Sequence, residues 1–181
     1  GVAHPPGYPF YSVLGHLWLT IFPWGNPAYA LAVLSCLAAA GATVFVFIGV
    51  RRRYGVWAGL TSAGLILFSA PLWKFALIQE KYALHACFVA VLFYLSDGEK
   101  DDLWRRARLS GLIAGLGLVN HQSLILFLPG FLLLWRAECR RFNSSLSRVA
   151  AVAFPWALAG LSLYAFLWVR LGSFSVATAT M

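Results

Sequence analysis

An all-α, multi-pass transmembrane helix bundle is the fold this sequence predicts, and three observations carry it. Of 181 residues, 61% are hydrophobic and only 11% are charged, against about 45–50% and about 25% in soluble domains. The mean hydropathy is +0.76. The apolar residues form six long runs, and the basic residues collect in every second break between them. So few charges leave little to hold a folded surface in water, and the solvent such a chain suits is lipid. Disordered, collagen-like and disulfide-scaffold classes fail on the same composition. Cys36, Cys87 and Cys139 show no metal-ligand spacing and read as small core residues.

The chain opens on Gly1, and no initiator Met, charged leader or cleavage site is visible. It therefore reads as an internal segment of a longer protein, forming one membrane-embedded unit over residues 1–181. Residues 1–27 are expected to give an outer-face loop and an interfacial helix, 28–169 the bundle, and 170–181 an outer-face tail. Within 8–22, Ser12, His16 and Thr20 recur at i, i+4, i+8 and so share one helical face. That segment lies along the outer interface or lines the bundle.

The runs follow in order at 28–50, 56–73, 82–96, 109–119, 123–135 and 149–169. A crossing helix needs about 20 residues, so the first and last are comfortable. Run 82–96 would rise only about 22 Å and run 109–119 only about 16 Å. The expectation is about six spanning or half-spanning helices plus the N-terminal interfacial one.

Orientation follows from charge. With the segment before residue 28 outside, the loops at 51–53, 97–108 and 136–148 are inside and hold eleven of the fourteen Lys and Arg residues. That is a strong positive-inside bias. Merging 109–135 into one span would reverse the last loop, so two short arms are favoured. The net charge of +8 thus reads as a topology signal that brushes anionic lipid at most, and no nucleic-acid partner is implied. Asn143-Ser144-Ser145 is a glycosylation sequon that this topology places inside. The eight Trp residues sit mostly near run ends, as an aromatic belt does.

Among the acids, Glu80 alone falls on the outer side. Lys81 and His85 share a helical face beside it and could both meet a phosphate, although a bundle histidine is the plainer reading of His85. Asn120-His121-Gln122 sits between two runs too short to cross alone, a turn tolerated at depth only against protein or water; a helix–helix hydrogen-bonding turn is the bland alternative. His4-Pro5-Pro6-Gly7-Tyr8-Pro9 is a stiff segment able to present His4 and Tyr8 over the outer mouth of the bundle. Lys74 and Arg170 are the remaining outer cations. His4, Glu80 and Asn120-His121-Gln122 all fall on one side of the membrane, the side with almost no other charge.

These residues resemble a known family. Gly1-Val2-Ala3-His4-Pro5-Pro6-Gly7-Tyr8-Pro9, Gln79-Glu80-Lys81-Tyr82-Ala83-Leu84 and Gly115-Leu116-Gly117-Leu118-Val119-Asn120-His121-Gln122 occur in the order found in the domain of unknown function 2723 family. That family includes the transmembrane protein 260-like protein O-mannosyltransferases, of the GT-C class of multi-pass glycosyltransferases. The likeness runs from residue 1 to about 169; Lys81 departs from a commoner Val, and the stretch after Arg170 matches poorly.

The resemblance implies a membrane glycosyltransferase. Its donor would be a polyprenyl- or dolichyl-phosphate-linked sugar such as mannose, and its acceptor a protein Ser/Thr hydroxyl or a glycan. Transfer would occur on the lumenal face of the endoplasmic reticulum in a eukaryote or the periplasmic face of a bacterial cytoplasmic membrane. Glu80 and His4 are the implied catalytic residues, Glu80 sharing the base's task. His4, His121 and Lys74 would assist the departing phosphate, Asn120 and Gln122 would meet sugar hydroxyls, and Tyr8 and Tyr82 would line the substrate site. The donor brings a good leaving group, so no cofactor or metal is expected. An acidic motif normally lies just upstream of the His-Pro-Pro string, so the presumed catalytic acid and first span would precede this segment, which alone would be inactive. The alternatives are a transporter or lipid flippase, since broken spans with polar turns also build such proteins, and a non-catalytic membrane subunit.

Overall fold

The computed structural model describes residues 8–165 apart from Trp24 and Glu99; His4, Arg170 and the predicted outer-face tail lie outside the described residues. It is an all-α membrane helix bundle. In chain order come α1 (Pro9–Ile21), α2 (Pro27–Tyr54), α3 (Val56–Leu67), α4 (Ala70–Ala76), α5 (Lys81–Leu95) and α6 (Leu103–Asn120). A 3-10 segment, Gln122–Phe127, leads into α7 (Leu128–Arg141), and α8 (Leu146–Leu161) follows. Three helical stretches, Pro27–Tyr54, Gln122–Arg141 and Leu146–Tyr164, are long and apolar enough to cross a membrane, and the bent pair α3–α4 makes a fourth if taken as one span.

Local chemistry sets most boundaries. Asn26 caps α2, its Oδ1 accepting from the backbone N–H groups of Ala28 at 3.0 Å and Tyr29 at 3.4 Å, and Pro27 supplies a preset φ at the first helical position. Arg51, Arg52 and Arg53 fill the last turn of α2, where cations meet the negative end of the helix dipole. Gly55, at φ 89°, turns the chain into α3. Pro71 in the first turn of α4 lacks the N–H that would continue α3, and the two helices meet at 61°.

The predicted turn at Asn120-His121-Gln122 is present. His121 is extended (φ −158°, ψ 122°) and ends α6. The helix also begins six residues before the apolar run, because its first turns carry Arg105, Arg106 and Arg108. Its 18 residues rise about 27 Å. α7 then runs back beside it, so that Glu138 near the end of α7 meets Arg106 near the start of α6 at 2.8 Å. The loops at 97–108 and 136–148 therefore share one end of the bundle.

The most extensive packing joins α6 to α8 and α2 to α5, and both seams are made of small residues. Gly111 and Gly115 of α6 abut the Ala153 and Ala157 carbonyl groups of α8, while Gly160 of α8 faces Leu112 and Leu116. In lipid, where apolar side chains gain little by leaving solvent, such close backbone approach is what drives helices together. Ala38, Ala39 and Ala83 form the equivalent core between α2 and α5. α1 packs through Pro9 and Gly15, with Ser12, His16 and Thr20 exposed; its polar stripe faces away from the bundle.

Candidate functional site

At the end of the bundle opposite the Arg106–Glu138 pair, the starts of α1 and α5 meet the end of α6. Glu80 is extended and precedes α5 without capping it through its side chain. Its backbone carbonyl accepts from Ser35 Oγ at 3.4 Å, which ties the turn to α2. Its carboxylate lies 3.6 Å from Lys81 Nζ and is 43% exposed, against 11% for the Lys81 side chain. Lys81 is thus no freely solvated cation. Its ammonium sits 3.8 Å from the Tyr8 ring centroid and 4.6 Å from that of Tyr82, a two-sided aromatic cradle in which quadrupole attraction replaces lost water.

His121 lies at the centre. Its ring stacks on Tyr8 at 5.9 Å and meets Tyr82 at 5.3 Å and His85 at 5.2 Å. The Ser123 backbone N–H donates to His121 Nδ1 at 3.2 Å, so Nδ1 is an acceptor and the neutral ring carries its proton on Nε2. Burial and then the nearby Lys81 charge push the imidazole below its usual range, which keeps that neutral form at pH 7. Ser123 Oγ is 2.6 Å from His121 Nδ1 and 3.2 Å from His85 Nε2. One hydroxyl thereby links two histidines on separate helices, while His121 Nε2 keeps its hydrogen for something else.

The predicted residues divide. Tyr8, Glu80, Tyr82 and His121 come together. Asn120 is adjacent but wholly buried, its Nδ2 donating to the Lys81 carbonyl at 3.3 Å; it pins the end of α6 to the start of α5. Lys74, on α4, has its ammonium 5.8 Å from the Phe75 ring and makes no contact with the cluster among the described residues. Gln122 is exposed at the start of the 3-10 segment and makes no side-chain hydrogen bond among the described residues. His4 lies outside the described residues. Sequence reasoning missed Ser123, whose only signal was its place directly after Asn120-His121-Gln122, and left Lys81 and His85 undecided.

Beside the cluster, a groove of about 850 Å³ is lined by α2, α5 and α7, with Ile66 of α3 and Phe75 of α4. Val46, Ile66, Val89 and Phe131 line its length, and Tyr82 and His85 stand at its polar end. An apolar channel and a polar, partly cationic cluster therefore share two residues.

Comparison with known proteins adds a lineage. The family described as protein O-mannosyl-transferase TMEM260 N-terminal domain matches residues 1–144. A mouse relative named protein O-mannosyl-transferase TMEM260 is 34% identical over 134 residues, covering 71% of this chain and 19% of its own length. A Dictyostelium discoideum relative named protein O-mannosyl-transferase tmem260 is 30% identical over 148 residues, covering 72% of this chain and 18% of its own. The chain thus spans about a fifth of the length of these relatives. No solved structure matches it.

Proposed function

The chain belongs to the TMEM260 N-terminal-domain family, and from that premise we propose that it is the membrane part of a glycosyltransferase. The donor is a sugar, mannose by analogy with the relatives' names, on a polyprenyl or dolichyl phosphate; the acceptor is a protein Ser/Thr hydroxyl or a glycan. The supporting observation is the continuity of the apolar groove with the Tyr82–His85–His121 cluster. A long isoprenoid attached to a charged phosphate and a polar sugar has the same division of chemistry.

In this reading the acceptor O–H attacks the anomeric carbon, its proton passes to a carboxylate, and the bond from that carbon to the phosphate oxygen breaks. Glu80 is the carboxylate nearest the cluster and assists the hydroxyl. The Lys81 ammonium and the His121 Nε2–H face the charge that develops on the departing lipid phosphate. Tyr8 and Tyr82 hold Lys81 in place, and Ser123 fixes the His121 tautomer. Asn120 acts as a positioning residue here, not as a sugar contact. Transfer takes place on the lumenal face of the endoplasmic reticulum or the periplasmic face of a bacterial membrane, with the arginine-rich end inside.

In the full-length protein, Glu80→Gln and His121→Ala are each expected to slow sugar transfer from the lipid donor to an acceptor peptide by about 10²-fold or more. Rates within twofold of wild type would overturn the assignment. Lys74→Ala separates the sequence reading from the geometry: the former expects a loss, the latter a rate close to wild type.

The orientation has an independent check. Asn143 is exposed beyond the end of α7, so the fold does not bury its sequon. The expected result in a eukaryotic host is an unmodified Asn143, read as no glycosidase-sensitive mobility shift specific to that site; a glycan there would reverse the topology.

A further inference from the structure

At the end of the bundle opposite the His121 cluster, a cavity of about 700 Å³ is lined by Arg52, Arg53, Arg105, Arg106 and Arg141, together with Tyr94 and two aspartates, Asp97 and Asp102. Bases on an inner loop ordinarily set topology and point into water. Here residues from α2, α6 and α7 converge on one concavity.

Asp97 Oδ1 serves both Arg53 at 3.9 Å and Arg141 at 3.4 Å. Glu138 serves Arg106 at 2.8 Å and Arg141 at 3.7 Å, and Asp102 has Arg105 at 3.8 Å. Among the described residues, Asp97 and Glu138 are thus each shared between two guanidinium groups. Arg52 has an aromatic partner in place of a carboxylate: its Nη2 donates to the Tyr94 hydroxyl at 2.6 Å, and its guanidinium lies 4.2 Å from that ring's centroid. Stacking fixes the guanidinium plane and leaves its other N–H groups available.

We infer that this cavity is a phosphate-binding site that takes the headgroup of an anionic phospholipid from the inner leaflet. Five arginines line one cavity, and planar forks from several helices match phosphate oxygens better than point charges would. The membrane is favoured as the source because Tyr54, Trp57 and Trp104, at the same end of the bundle, are all exposed, and such aromatics sit at headgroup depth. Basic pockets between spans at that depth are where anionic headgroups bind.

The test is native mass spectrometry of the full-length protein, titrated with phosphatidylinositol 4-phosphate or with phosphatidylcholine. The expected result is one retained phosphatidylinositol 4-phosphate, bound at least about tenfold more tightly than phosphatidylcholine. R52Q/R53Q should lose that preference by at least about tenfold. R108Q/R148Q removes the same charge from exposed positions that do not line the cavity and should retain it. Equal losses in the two double variants would show diffuse attraction and overturn the site, as would no loss in either. Displacement of the lipid by pyrophosphate at low concentration would assign the cavity to a soluble phosphate and overturn the lipid assignment. If R52Q/R53Q does not accumulate, R52K/R53K keeps the charge but not the fork; a loss of about threefold or more is expected, and undiminished binding overturns the proposal.

Discussion

Replacing Glu138 with alanine is expected to destabilise the full-length protein by about 3–5 kcal/mol, the cost typical of removing one member of a buried ion pair. Glu138 is 1% exposed and Arg106 is 6% exposed. The carboxylate accepts from Arg106 at 2.8 Å and from the Gly98 backbone N–H at 3.0 Å, while Arg106 donates to the Leu95 carbonyl at 3.2 Å. One pair thus closes the loop between α5 and α6 against the end of α7. Truncation takes from Arg106 a carboxylate partner at 2.8 Å and frees the Gly98 N–H. The measurement is the thermal midpoint in detergent, and the decisive comparison is the double variant Arg106→Met with Glu138→Leu. It should cost less than the two single changes combined, because each single change already loses the contact between them. Strict additivity would mean that the pair is not coupled.

The second large effect belongs to the seam between α6 and α8. A methyl group built on Gly111 falls on the Ala153 carbonyl oxygen, and one on Gly115 falls on that of Ala157. Neither obstacle is a side chain that can swing aside, so even Gly111→Ala must separate two backbones. Overpacking usually costs about 1–3 kcal/mol, and Gly111→Leu should reach or exceed the top of that range. Gly64 in α3 and Gly130 in α7 have nothing within 4 Å of an added Cβ. Changing either to alanine should be neutral or stabilising by up to about 1 kcal/mol, since alanine favours the helix. Equal sensitivity at all four glycines would show that backbone propensity, not the seam, sets the response.

The end of α2 was legible because its cause, the Arg51–Arg53 cluster, is local. The run 56–73 reads as unbroken, and sequence reasoning missed the bend of 61° between α3 and α4 although Pro71 stands at it. The return of α7 beside α6 was legible from charge alone, since any other path would have carried four arginines to the wrong side. What stayed hidden depends on pairs distant in the chain. Arg106 and Glu138 each read as one more inward charge, and nothing in their neighbourhoods announced that they bury each other. Ser123 joins His85 to His121 across 38 residues, and no periodicity within either helix encodes that link. Lys74 shows the converse: the side assigned to it by the charge pattern did not bring its ammonium to the cluster, since Phe75 is the α4 residue whose ring meets Tyr82, at 4.6 Å.

The α6–α8 seam also fixes an order of events. Its two faces are separated in the chain by the whole of α7, so α8 can dock only after α7 has been made and turned back. At synthesis rates of about 5–20 residues per second, the glycine face of α6 waits on the order of seconds for its partner. During that interval it presents bare backbone to lipid and to any passing helix with small residues. The speed of translation, and not affinity alone, limits how long a wrong neighbour can compete for that face.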